Sequence, residues 1–339
     1  MCRVSPMSDL LDLIRSMPKA ELHLHIEGTL EPAMLMQLAE KHSVELPYSS
    51  VEDVARAYEF DDLQSFLDLY YLGAGVLVDE DDFYELMIAY LRRCRDEGIV
   101  HAEIMFDPQT HTDRGIGFDV FMSGFERARQ QAASEWGTST LLIMCFLRHL
   151  PESAALATLQ QSLPYRDMIH AVGLDSGEVG NPPEKFSAVF AEARRLGFEC
   201  VAHAGEEGPP AYIWGALDTL EVSRIDHGVR CVEDRALVER LVREQMPLTV
   251  CPLSNVRLRV FNTMADHNIL ALLDQGLNVC VNSDDPPYFG GYLMDNFAAM
   301  EAALGLESDQ AKQLVANSIR SSFLPVARKE DLLQQILAS

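Results

Sequence analysis

The chain alternates short, nearly continuous apolar runs with longer segments in which apolar residues recur every three or four positions. Continuous apolar runs mark strands covered on both faces, so the alternation is that of a parallel-sheet protein. Eight strands are predicted, at "AELHLH" (20–25), "VHAEIMF" (100–106), "TLLIMCF" (140–146), "HAVGLD" (170–175), "ECVAHA" (199–204), "RIDHG" (224–228), "PLTVCP" (247–252) and "NVCVNSDD" (278–285). Between the first two, Phe83, Leu86, Met87, Tyr90, Leu91 and Cys94 share one helical face, and Gly98 is placed to end that helix. Phe186, Phe190 and Ala193 repeat the pattern between "NPP" and Gly197, with proline before and glycine after. Leu63, Phe66, Leu67 and Tyr70 mark a further helix in the long insertion after the first strand; most of its apolar face, with Phe60, is assigned to core packing.

Eight strands, each followed by helix, predict a (β/α)8 TIM barrel with extra helices inserted between the first and second strands, a fold of about 250 residues before insertions. The competing doubly wound sheet normally carries a glycine-rich turn after its first strand, and "HIEGTLEP" is no such turn. With no repeat beyond the strand-helix unit, residues 1–339 are read as one domain.

Composition narrows the partners. Among 339 residues, 27 Lys and Arg face 52 Asp and Glu, a formal charge of −25 that repels polyphosphate and excludes a nucleic-acid footprint. No apolar run is long enough to cross a membrane, and the start lacks an export signal. Seven cysteines, at 2, 94, 145, 200, 231, 251 and 280, show no repeated spacing, which fits a reducing cytoplasm. A small neutral or cationic molecule is the expected partner; the oligomeric state is left open.

Apolar strands that end on charged or imidazole groups need a reason. The first ends with His23 and His25, the fifth with His203, the sixth with His227, and the eighth with Asp284 and Asp285. Side chains two apart on a strand share a face, so His23 and His25 point together into the barrel mouth. Singly, each such group reads equally as a hydrogen-bonded core residue or a turn. A barrel mouth brings the four strand ends together, and three imidazoles with a carboxylate suit zinc or a similar divalent ion with a position left for water.

The segments "AELHLHIEGTLEP", "HAGEEG", "DHG", "CPLSN" and "VNSDDPPYFGG", in this order, resemble the adenosine and adenine deaminases of the amidohydrolase superfamily over nearly the whole chain. The resemblance implies a barrel holding one zinc ion through His23, His25, His203 and Asp284. It makes Glu206 the proton donor, His227 the histidine that orients and activates the attacking water, and Asp285 the contact to the purine imidazole edge, there met by the 7H tautomer of adenine. "IEG" where the nucleoside enzymes read "LDG", the turn "GLDSGEVGNPPEKF" and "DDPPYFGGY" place the chain nearer the base-acting branch. The implied reaction is hydrolysis of adenine to hypoxanthine and ammonia in purine salvage, with Glu27 beside the sugar position favouring base over nucleoside. The departure of "DSGE" from the commoner form with a second serine leaves substrate choice open.

Three rivals are weighed against this reading. An N6-methyl or N6-isopentenyl adenine needs apolar room beside C6. A purine-binding receptor barrel needs neither a metal nor a proton donor. The His-x-Glu and Pro-Cys-x-x-Cys deaminases have only "HAE" in common with the chain, and His101–Glu103 is read as structural. The fourth strand ends in "GLDS" without the lysine of dinuclear relatives, so one metal is expected.

Overall fold

A computed structural model of the chain describes residues 8–58, 60 and 63–339; the prediction for Cys2 lies outside them. Eight parallel strands follow one another in sequence order around a nearly closed barrel. They are β1 (Lys19–Glu21), β2 (Ile99–Phe106), β3 (Ser139–Leu147), β4 (Ile169–Asp175), β5 (Glu199–Ala204), β6 (Arg224–His227), β7 (Pro247–Val250) and β8 (Asn278–Val281). β2 to β6 fall on their predicted runs to within two residues. β1, β7 and β8 are shorter than predicted, because the chain leaves the ladder where it must turn polar groups into the mouth. Beyond β1 and β8 the barrel is joined by single bridges instead: the His25 amide donates to the Asp284 carbonyl at 3.0 Å, and the Asp284 amide to that of His23 at 3.1 Å.

The two-residue period of a strand sets the barrel interior in layers. Along β2 the inward column is His101, Glu103 and Met105, followed by Asp107 just past the strand end. At the floor, Arg224 Nη1 lies 2.6 Å from Glu103 Oε2, both fully buried, and the guanidinium sits over the Phe323 ring that follows the helix Ser308–Ser321. His101 Nε2 meets Glu103 Oε1 at 3.2 Å. Above the floor lies a small apolar plug of Met105, Ile143, Cys145, Ala171 and Val201. The mouth above the plug is where the polar strand ends gather.

The helices wrap the outside of the sheet and bury the larger core. Glu80–Glu97 starts at a capping box formed by Asp79 and Asp82, buries the predicted face from Phe83 to Cys94, and ends at Gly98 with φ of 75°. It packs closely on the helix Phe118–Trp136 because Gly124 has no side chain; a Cβ there would lie 2.5 Å from the Glu80 carbonyl oxygen. The insertion after β1 forms Pro32–His42, Val51–Ala57 and Leu63–Ala74 before Glu80–Glu97, and Leu63–Ala74 lies over the mouth. Among the described residues no helix is long and apolar enough to cross a membrane, and the six cysteines described are free and buried.

The floor pair has a measurable consequence. Burial alone would raise the Glu103 carboxyl, but Arg224 and His101 overcome it and hold it at about 2. Its stabilisation is therefore present above the ordinary carboxylate range and lost as pH falls towards 2. Glu103→Gln leaves Arg224 buried beside a neutral partner and is expected to cost about 3–5 kcal/mol, read as a lower midpoint in urea unfolding at pH 7; an unchanged midpoint contradicts the role given to the pair.

Candidate active site

The mouth brings three imidazole nitrogens to one point. His23 Nε2 lies 3.1 Å from His203 Nε2, which lies 3.2 Å from His25 Nε2. Asp284 Oδ1 is 3.2 Å from the first and 3.5 Å from the third. His23 Nδ1 faces the Thr249 carbonyl at 3.2 Å and so carries the ring proton, turning the Nε2 lone pair to the cluster. Three imidazoles and a carboxylate converging at these distances are a donor set for a cation, and these four buried residues form a group able to hold one. Ser254 Oγ donates to Asp284 Oδ2 at 2.7 Å and leaves Oδ1 for that cluster. His227 and Asp284 reach the mouth through left-handed backbone, φ 63° and 64°, and Ser176 on the rim has φ 71°; each costs on the order of 1–3 kcal/mol in a non-glycine residue, a strain typical of functional sites.

His227 lies beside the cluster with its proton placement determined from outside. The Ile269 amide donates to His267 Nδ1 at 3.1 Å, so His267 Nε2 is the protonated nitrogen and donates to Asn255 Oδ1 at 3.3 Å. Asn255 Nδ2 then donates to His227 Nδ1 at 3.2 Å, which puts the His227 proton on Nε2. That N–H faces Glu206 Oε2 at 3.6 Å and Asp284 Oδ2 at 3.8 Å. Burial first, then His23, hold the ring neutral with a pKa of about 3. Glu206 is pushed well above the carboxylate range by burial and by Asp284, Glu207 and Glu178, the direction a proton donor needs.

Glu206 owes its position to a residue that the motifs left unassigned. Glu178, in the turn after β4, accepts four successive backbone N–H groups: Gly205 at 2.6 Å, Glu206 at 3.0 Å, Glu207 at 2.9 Å and Gly208 at 2.8 Å. A Cβ on Gly208 would lie 2.4 Å from Glu178 Oε1, so the cradle requires glycine. Gly28 serves Asp285 in the same way; a Cβ there would meet Asp285 Oδ1 at 1.7 Å.

A cavity of about 400 Å³ opens from this cluster. His25, His203, Glu206, His227, Asp284 and Asp285 line it, together with Asp107 and Asp175, which sequence reasoning missed. The signal was present: "FDP" and "GLDS" put an aspartate at the ends of β2 and β4, in step with the inward columns. Burial and repulsion from neighbouring carboxylates push Asp107 up to about 6, and Asp175 and Asp285 well up. Leu63, Phe66 and Leu67 are buried in the main core, as assigned, and also line the cavity together with Tyr70, because the buried face of Leu63–Ala74 is the roof of the mouth. Glu27 lies behind the wall. It accepts His111 Nε2 at 2.8 Å, the Asp107 amide at 3.2 Å and the Tyr70 hydroxyl at 3.4 Å.

Fold and site together define a (β/α)8 hydrolase whose mouth is built for a metal ion. The family model described as adenosine deaminase matches residues 18–339. An adenine deaminase from Hahella chejuensis is 57% identical over 96% of this chain and 97% of its own length, and one from Acinetobacter baylyi 56% over 96% and 98%. The crystal structure of an adenine deaminase from Arthrobacter aurescens superposes with a TM-score of 0.93 at 52% identity, covering 95% of this chain and 99% of that one. The chain belongs to the adenosine deaminase family, and its enzyme class is that of a deaminating hydrolase.

Glu178→Gln removes the charge but keeps the shape of the cradle. A loosened Glu206 is expected to lower kcat on the order of 10²-fold. Because the Glu178 charge helps to raise the Glu206 carboxyl, the alkaline limb of the pH–rate profile should also move to lower pH. A purely structural role would leave that limb in place.

Proposed function

We propose that this protein hydrolyses free adenine to hypoxanthine and ammonia, in purine salvage in the cytoplasm, with one zinc ion held by His23, His25, His203 and Asp284. The observation that carries the reading is the cavity wall, where Glu206 with its raised carboxyl, a neutral His227, and His25, His203 and Asp284 of the four-residue donor cluster face one space, with His23 completing the cluster behind them. The identity with adenine deaminases given above supports the substrate. The formal charge of −25 argues against nucleic acid as a partner, and the free buried cysteines favour the cytoplasm. A single barrel domain carries the whole activity.

Zinc, when bound, lowers the pKa of water from 15.7 to about 7 and so makes a hydroxide nucleophile available at neutral pH. The chain's own residues do the rest. Glu206 donates its proton to N1 as C6 is attacked, which spares the ring a full negative charge. His227 presents Nε2–H and orients the attacking water as a donor. Asp284 Oδ2, held by Ser254 and 3.8 Å from His227 Nε2, takes up a proton of the attacking water and passes it to the leaving amino group, which departs as ammonia, while the remaining hydroxyl proton returns to Glu206 as the C6 carbonyl forms. Asp285 meets the imidazole edge of the purine; burial and Asp284 raise its carboxyl, a direction that favours donation to N7 of 9H-adenine over acceptance from the 7H form. Glu27 acts from behind the wall, by holding the Asp107 backbone and Tyr70 beside His25.

Purified, metal-analysed protein offered adenine, adenosine, N6-methyladenine and N6-isopentenyladenine should show its highest kcat/KM on adenine; negligible adenine turnover overturns the reading. Glu206→Gln should lower kcat by about 10²–10⁴-fold. In the wild type, activity should fall on the alkaline side as Glu206 loses its proton, since the donor works only when protonated. Glu27→Asp shortens the reach to His111 and the Asp107 amide, and should change the adenine-to-adenosine ratio of kcat/KM; an unchanged ratio contradicts its role.

A further inference from the structure

Two carboxyl groups in the cavity wall take no part in the reaction steps above. Asp107 and Asp175 are each 2% exposed. Asp107 Oδ2 accepts the Tyr70 hydroxyl at 3.0 Å, and Asp175 Oδ2 faces His25 Nδ1 at 3.4 Å. The two carboxyl groups pair with each other, and Asp175 with the Cys145 thiol, yet the Oδ1 atom of each is buried with no donor in good hydrogen-bond geometry. Neither lysine nor arginine is among the described residues lining the cavity. Buried acceptors without donors are costly unless something else supplies the hydrogen.

Their position indicates what that is. His25 stands between the two halves of the site, with Nε2 on the metal-ligand cluster and Nδ1 toward Asp175. The aspartate pair is thus one imidazole ring removed from the ligand cluster. A purine with C6 at that cluster and N7 at Asp285 turns its N3–N9 edge away from the ligand atoms, and Asp107 and Asp175 stand together on the Nδ1 side of His25, within 4.8 Å of it. Free 9H-adenine has an N–H on that edge. A nucleoside has none, because its sugar replaces that hydrogen and would need the space the carboxyl groups fill.

We propose that Asp107 and Asp175 form the subsite that selects free base over N9-substituted purines, their unpartnered Oδ1 atoms accepting the N9–H of adenine. The inference rests on the adenine reading and extends it to a second pair of residues. Glu27 serves the subsite by fixing the Asp107 amide, and Tyr70 by holding its Oδ2.

The test compares kcat/KM for adenine and 9-methyladenine in the wild type, Asp175→Asn, Asp175→Ala and Asp107→Asn, each checked for metal content. The wild type should prefer adenine by at least about 100-fold, as expected when a site built for a hydrogen bond meets an analogue that lacks it. The preference should shrink at least about tenfold in the Asp175 variants, with adenine losing rate and 9-methyladenine holding or gaining it in Asp175→Ala. A wild type that treats the two alike overturns the subsite without requiring any variant to fold. So does an equal loss on both substrates in every variant. A wild type inactive on adenine but active on another amino-purine would instead overturn the function proposed above.

Discussion

Three imidazole nitrogens and one carboxylate oxygen lie 3.1–3.5 Å from their neighbours in one buried cluster, a donor set that suits a cation. The mouth of this barrel is organised around that cluster. β1 and β8 stop early so that His23, His25 and Asp284 can turn inward, and single bridges replace the missing ladder. Asp284 and His227 accept left-handed backbone to reach the same point. Thr249 and Ser254 then orient the ring and the carboxylate that face the ion. Each of these local departures would be a cost without the cation and is a support with it.

The same inward columns explain why the site is stable enough to hold such strain. Glu103 and Arg224 close the barrel floor as a buried pair, and five apolar side chains seal the middle between that floor and the polar mouth. Water is excluded from below, which strengthens every electrostatic interaction above. The His267–Asn255–His227 relay uses this dryness. A single backbone amide, that of Ile269, determines which nitrogen of His227 carries the proton three side chains away.

The barrel was legible from periodicity because strands covered on both faces are written as continuous apolar runs, and the four metal-type ligands were legible because polar groups ended those runs. Other features were hidden for physical reasons. A helix that roofs a cavity has the same apolar stripe as one that packs on a core, so the stripe of Leu63, Phe66 and Leu67 fitted core packing and pocket lining alike, and they do both. Glu178 sits in a turn, where a carboxylate is ordinary until four amide donors are seen to converge on it. Asp107 and Asp175 follow the inward columns of β2 and β4, yet an aspartate before proline or serine also reads as a turn. For Glu27, sequence gave the neighbourhood but not the depth: it lies behind Asp107 and Tyr70, outside the cavity lining.

The central claim is that the buried donor cluster holds one metal ion on which the chemistry depends. Metal-free protein titrated with zinc, with adenine turnover and bound metal followed together, tests it most directly. The account predicts that turnover rises in proportion to bound zinc and saturates at one equivalent per chain. Full turnover by the metal-free protein, or a rise that continues to two equivalents, would contradict it.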